Sequence, residues 1–159
     1  MQHPAIIRKP GEGRRIGIVG DLYRFLATGK ETGGKYATFE AIVPPGSGPP
    51  PHVHSREEES FLVLEGEMTF QLGDQRFTAG EGTFLNMPVG SLHCFKNESN
   101  KTARLLITLA PAGMEEMFFE VGTPLADDAD TAPPPSEVEI KKLLDAAPRY
   151  GLEIRVPQK

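Results

Sequence analysis

From residue 15 to residue 110, short runs rich in Val, Ile, Leu, Phe and Thr are cut repeatedly by turn residues. The cuts fall at Gly20, Pro44 to Gly46, Gly66, Gly73, Gly82 and Gly90. Such runs are too short for helices, and glycine or proline in between supplies tight turns. This rhythm constrains the fold more than any other feature. It selects an all-β sandwich or barrel and excludes a helical bundle. Strands are expected at 15–19, 22–26, 36–43, 60–65, 67–72, 75–78, 83–86, 91–96 and 103–110, with the first two paired around Gly20-Asp21. Residues 27–34 form a polar loop. The loop departs from a phosphate-binding one, because Lys30 is followed by Glu31.

After Pro111 the period changes. Met114, Met117, Phe118 and Val121 fall at i, i+3, i+4 and i+7, the apolar stripe of a helix that stops at Gly122. Met117 and Phe118 are read there as core packing rather than substrate contacts. A loose acidic, proline-rich connector follows. Ser136 with Glu139 then forms a capping box that opens a second helix, and Pro148 ends it. Ile140, Leu143, Leu144 and Ala147 are its expected buried side. At 159 residues the chain suits one core. The expected organisation is a barrel with an N-terminal strand extension over 1–112, covered by C-terminal helices over 113–159.

Composition narrows the function classes. A net charge of −5 lacks the basic face of a nucleic-acid binder. The first twenty residues show neither a signal peptide nor a membrane span. A single cysteine, Cys94, excludes an internal disulfide and fits a cytoplasmic setting. On β alternation Cys94 points away from His93 and is expected to be a small buried residue. The expected partner is a small molecule.

Two arrays carry the chemistry. The first reads Gly46, five residues, His52, Val53, His54, four residues, Glu59, six residues, Gly66. The second reads Gly82, five residues, Pro88, Val89, Gly90, two residues, His93, three residues, Asn97. His52 and His54 lie two apart, so an extended segment sends both rings to one face. Imidazole with a carboxylate suits Fe, Mn, Ni, Cu or Zn. All histidines except His3 fall in these arrays.

In order and spacing the pair resembles the two motifs of the cupin superfamily, in particular its single-domain, quercetin 2,3-dioxygenase-like members. The resemblance implies a double-stranded β-helix (a jelly-roll barrel), frequently a homodimer, with His52, His54 and His93 as metal ligands and one carboxylate after the histidine pair. Glu58 and Glu59 are both eligible. Glu59 shares a strand face with Phe61 and Val63, whereas Glu58 points the other way, so parity favours Glu59. Glu57 and Glu58 are then solvated rim residues. Gly66, Gly82 and Gly90 serve turns, Pro88 helps aim His93, and Asn97 ties down a turn. Phe39, Phe61, Val63, Met87 and Phe95 are expected to line an apolar pocket suited to an aromatic ligand.

Three neutral histidines and one carboxylate leave a divalent ion at +1 with open positions, the layout of a catalytic site. The expected activity is that of a dioxygenase acting with O₂ on an enol or phenol, with Glu59 as general base. The same ligands also serve a non-redox isomerase, cyclase or lyase, or a ligand-binding protein without turnover.

Overall fold

The computed structural model describes residues 2–155. Its strands are β1 (Arg15–Ile18), β2 (Asp21–Ala27), β3 (Ala37–Val43), β4 (His52–His54), β5 (Glu58–Glu65), β6 (Met68–Leu72), β7 (Gln75–Ala79), β8 (Phe84–Met87), β9 (Leu92–Lys96), β10 (Ala103–Ala110), β11 (Thr123–Pro124) and β12 (Leu152–Ile154). The helices are α1 (Gly29–Thr32), α2 (Met114–Val121) and α3 (Glu137–Ala146), and a 3-10 turn follows over Ala147–Tyr150. All strand pairs are antiparallel. They form a seven-stranded sheet, β11-β1-β2-β3-β10-β5-β8, and a five-stranded sheet, β12-β4-β9-β6-β7.

Alternation decides what each strand buries. Along β10, Ala103, Leu105, Ile107 and Leu109 are buried while their neighbours are partly exposed. Along β5, Glu59, Phe61 and Val63 are buried and Glu58 is exposed. These faces meet Met68, Phe70 and Phe95 of the smaller sheet in one apolar core. The outer face of the larger sheet carries a charge ladder. Glu40 accepts from Arg24 at 2.6 Å and from Arg104 at 2.7 Å, and Arg104 also reaches Glu65 at 3.2 Å.

The β1–β2 hairpin turns at Val19-Gly20, one residue before the expected dipeptide. Both have positive φ, 47° and 89°. This is the left-handed pair that a two-residue hairpin requires. Gly20 adopts it freely, but for β-branched Val19 it is strained. The Val19 N–H donates to the Glu139 carboxylate of α3, which clamps the turn. Gly48 has a different reason for lacking a side chain. A Cβ there would lie 2.0 Å from the Phe95 carbonyl, so only glycine lets the loop before β4 cross β9.

The C-terminal region does more than cover the barrel. Its β11 joins the larger sheet beside β1, and β12 joins the smaller one beside β4. On α2, Met114, Met117 and Val121 are buried as expected. On α3, Ser136 accepts from the Glu139 N–H, as the capping box requires. The inward stripe differs from the expected one: Leu143, Ala146 and Ala147 are buried, whereas Ile140 and Leu144 are 40% and 41% exposed. The helix is rotated because Glu139, a polar residue, occupies the inward line of 139, 143 and 146 to reach the hairpin. The expected loop 27–34 contains the short α1, whose first N–H at Gly29 donates to buried Glu115 at 3.1 Å.

Candidate metal centre

The centre lies where the sheets face each other. The smaller sheet supplies His52 and His54 from β4 and His93 from β9, and His52 and His93 are direct cross-strand partners. The larger sheet supplies Glu59 from β5. All four are buried, and one ligand atom from each lies within 4.8 Å of the others. The loop that aims His93 is tied back to β4, because Gly90 N–H donates to His54 O at 2.9 Å. Its far end is fixed by Asn97, whose side chain donates to Val43 O at 2.9 Å and Lys101 O at 2.7 Å.

The ring orientations are set from behind. Nδ1 of His52 donates to Pro50 O at 2.8 Å, and Nδ1 of His93 donates to Ser91 O at 3.1 Å. A carbonyl only accepts, so Nδ1 is an N–H donor in both rings. Nε2 of His93 lies 2.9 Å from Glu59 Oε1, and Nε2 of His54 lies 3.6 Å from Glu59 Oε2. Both ring nitrogens of His54 are buried with no hydrogen-bond partner among the described residues. An orphaned buried imidazole next to a buried carboxylate is costly, and a cation between them removes that cost. The donor set and its orphaned atoms therefore fit a metal ion.

The electrostatics point the same way. Burial disfavours charge on His54, yet the carboxylates of Glu59 and Glu57 raise its pKa to about 9. Burial would raise Glu59, but His54 and His93 hold it well below the ordinary carboxylate range. His52 is lowered to about 4, mainly by burial. The pocket attracts positive charge through the Glu59 carboxylate, which stays ionised.

The structure separates the three consecutive glutamates. Glu59 enters the cluster, and exposed Glu58 accepts from Asn86 on the outer face. Glu57 corrects the expectation of a rim residue. It is 4% exposed, and its Oε2 lies 3.5 Å from His54 Nδ1. Residues 55–57 precede β5, so strand parity does not reach them, and the chain folds Glu57 back onto His54. There it faces the ring from outside the cluster without a hydrogen bond to it. Its signal in the sequence was a carboxylate three residues after a histidine.

A cavity of about 60 Å³ opens beside His52, His54 and Glu59. Phe39 and Phe95 line it as expected. Phe61, Val63 and Met87 do not. They point inward but are packed into the solid core behind it, where Phe61 meets Phe70 and Phe95 edge-on. Met117 and Phe118, read from the sequence as core alone, also reach the cavity wall, as do Leu143 of α3 and Leu152 of β12. Two polar residues were missed, Asp21 and Tyr23 of β2. Asp21 reads as a turn residue in sequence, although its spacing of two from Tyr23 and four from Phe25 marks the inward face. Cys94 departs from expectation too: it lies half-buried on the outer face of β9, with Sγ donating to Gln71 at 3.9 Å.

Compared with known proteins, residues 39–109, spanning β3 to β10 and all four clustered residues, match the cupin domain family. The chain thus carries a cupin domain. It is 31% identical over 119 residues to quercetin 2,3-dioxygenase of Bacillus subtilis, a match covering 74% of this chain and 35% of that protein. It is 26% identical over 140 residues to quercetin 2,3-dioxygenase of Aspergillus japonicus, covering 84% and 40%. The chain spans well under half the length of these relatives. Among solved structures, an RmlC-like cupin from Shewanella frigidimarina shares its fold, with a TM-score of 0.62 at 17% identity over 73% of this chain and 99% of that one. A His₃Glu cluster in such a barrel fits a cupin metal site. Among the described residues no helix is long and apolar enough to cross a membrane.

Proposed function

We propose that this cupin is a metal-dependent dioxygenase acting on a small enol or phenol. The observation that carries the reading is the convergence of three imidazoles and one carboxylate beside an apolar cavity. His52, His54, His93 and Glu59 would hold one divalent transition ion, Fe, Mn, Ni, Cu or Zn. When bound, the ion supplies Lewis acidity and, if redox-active, the electron chemistry that a reaction with O₂ needs. Phe39, Phe95, Ile107 and Met117 enclose the carbon skeleton of the substrate and exclude water. Glu59, the one carboxylate of the cluster, accepts the proton of the enol or phenol hydroxyl, leaving the substrate as its oxyanion. Quercetin 2,3-dioxygenase relatives support this class of activity.

Cavity size limits the substrate. At about 60 Å³ the space is far below the roughly 300 Å³ at which drug-sized pockets begin. A single-ring enol or phenol suits it better than a three-ring flavonol, which would require Leu143 and Leu152 to move aside. The test is oxygen uptake by protein loaded anaerobically with each metal in turn, against a panel of single-ring enols, phenols and flavonols. Uptake is expected with the single-ring substrates and a redox-active ion. Absence of uptake with every metal and substrate overturns the reading.

One observation favours a second reading. Asp21 gives the cavity a carboxyl group outside the cluster, raised by burial to about 7 despite the Ser47 hydrogen bond. A non-redox isomerase, cyclase or lyase needs such a proton carrier in addition to a Lewis acid. Turnover with zinc under strict anaerobiosis distinguishes it from the dioxygenase.

A further inference from the structure

Asp21 stands at the first position of β2, directly after the strained turn, and is 2% exposed. One carboxylate oxygen accepts from Ser47 Oγ at 2.5 Å. Among the described residues no other side chain hydrogen-bonds to it, and no lysine, arginine or histidine pairs with it. A buried carboxyl with a single neutral partner is poorly compensated, so the fold gains little by keeping it there. It lines the same cavity as Glu59. Its neighbour Val19 lines that cavity too, with φ at 47° and its N–H clamped by Glu139. Strained backbone that the surroundings hold in place is characteristic of functional sites. The clamp fixes the start of β2, and Asp21 with it.

We propose that Asp21 is a substrate-recognition residue that accepts a hydrogen bond from a second hydroxyl of the substrate, remote from the one that faces Glu59. The preferred substrate is therefore a dihydroxylated single ring rather than a simple phenol. This rests on the enol or phenol reading given above. Asp21 is separate from the cluster in sequence and in strand. In the larger sheet, Glu59 pairs with Leu109 and so with Ala37, whereas Leu22 pairs with Ile42, five residues further along β3. The two carboxylates therefore reach the cavity from rows well apart along the strands, so among single-ring diols only the para isomer, whose hydroxyls are furthest apart, approaches both. Phe39, Phe95 and Tyr23 supply aromatic walls for that ring.

The experiment compares phenol, catechol, resorcinol and hydroquinone as calorimetric ligands of the wild type, Asp21→Asn and Ser47→Ala, both metal-free and loaded with cobalt(II). Wild type is expected to bind hydroquinone, the para diol, roughly 10- to 100-fold more tightly than phenol, as a hydrogen bond to a charged group predicts. Asp21→Asn is expected to lose most of that preference while leaving phenol affinity and the cobalt spectrum unchanged. Ser47→Ala keeps the carboxyl and should keep the preference. If Asp21 serves only to anchor the loop through Ser47, both variants lose the same amount, and the proposal falls. It also falls if the wild type shows no diol preference, or if Asp21→Asn retains it. Failure of cobalt to bind, or of phenol to perturb its spectrum, counts against the metal reading instead. The diol-to-phenol ratio of the metal-free protein still decides the role of Asp21 in that case.

Discussion

At the scale of the residue, Asp21 makes stability depend on pH in an unusual direction for a carboxylate. Burial raises its folded pKa to about 7 from an ordinary value of 3.8, so the folded chain holds the proton more tightly than the unfolded one. Its contribution is fully favourable below the unfolded value and is lost as pH rises from there through the folded value. At 1.36 kcal/mol per pKa unit, the loss between pH 5 and pH 8 is on the order of 2–3 kcal/mol. Asp21→Asn should therefore raise the melting temperature relative to wild type by a margin that widens from pH 5 to pH 8. A margin that stays constant contradicts the assignment. Legibility at this scale followed strand geometry. Glu59 and Glu58 could be told apart in sequence because β5 is already extended at both positions. Glu57 could not, because it precedes the strand and turns back on His54 through a tertiary contact that alternation does not encode. Asp21 was hidden by its residue type, since aspartate beside glycine is the ordinary composition of a turn.

At the scale of the element, the β1–β2 hairpin and α3 depend on each other. Val19 holds a backbone conformation costing about 1–3 kcal/mol for a non-glycine residue, and the Glu139 carboxylate compensates by accepting its N–H. Glu139→Ala should lower stability by about 1–3 kcal/mol, because it leaves that N–H without its partner and undocks the first turn of α3. Chemical denaturation measures this, and a change within 0.5 kcal/mol, roughly what an unremarkable surface substitution gives, contradicts it. The same contact explains why the inward face of α3 was misread. Hydrophobic periodicity scores Ile140 and Leu144 as core and cannot see that a polar residue takes the inward line. Strands β11 and β12 escaped for another reason: at two and three residues they have no detectable period, and only pairing with β1 and β4 defines them. The longer strands were legible because alternation and turn residues agreed along their whole length.

At the scale of the whole molecule, the centre exists only because two sheets are held face to face. One contributes the three histidines and the other the glutamate, so no single hairpin can assemble the set. The spacing of the two arrays in the sequence showed which residues take part. It could not show the rest of the cavity wall, which comes from β2, α2, α3 and β12, elements far from both arrays. The central claim is that these four side chains form one site for a divalent ion. The most direct measurement is cobalt(II) titration of the metal-stripped protein, followed by its visible spectrum, for the wild type, His93→Ala, Glu59→Ala and Glu58→Ala. The account predicts one ion per chain in the wild type and in Glu58→Ala, with affinity reduced about 100-fold or more when His93 or Glu59 is removed. Equal binding by all four proteins, or saturation at another stoichiometry, would contradict it.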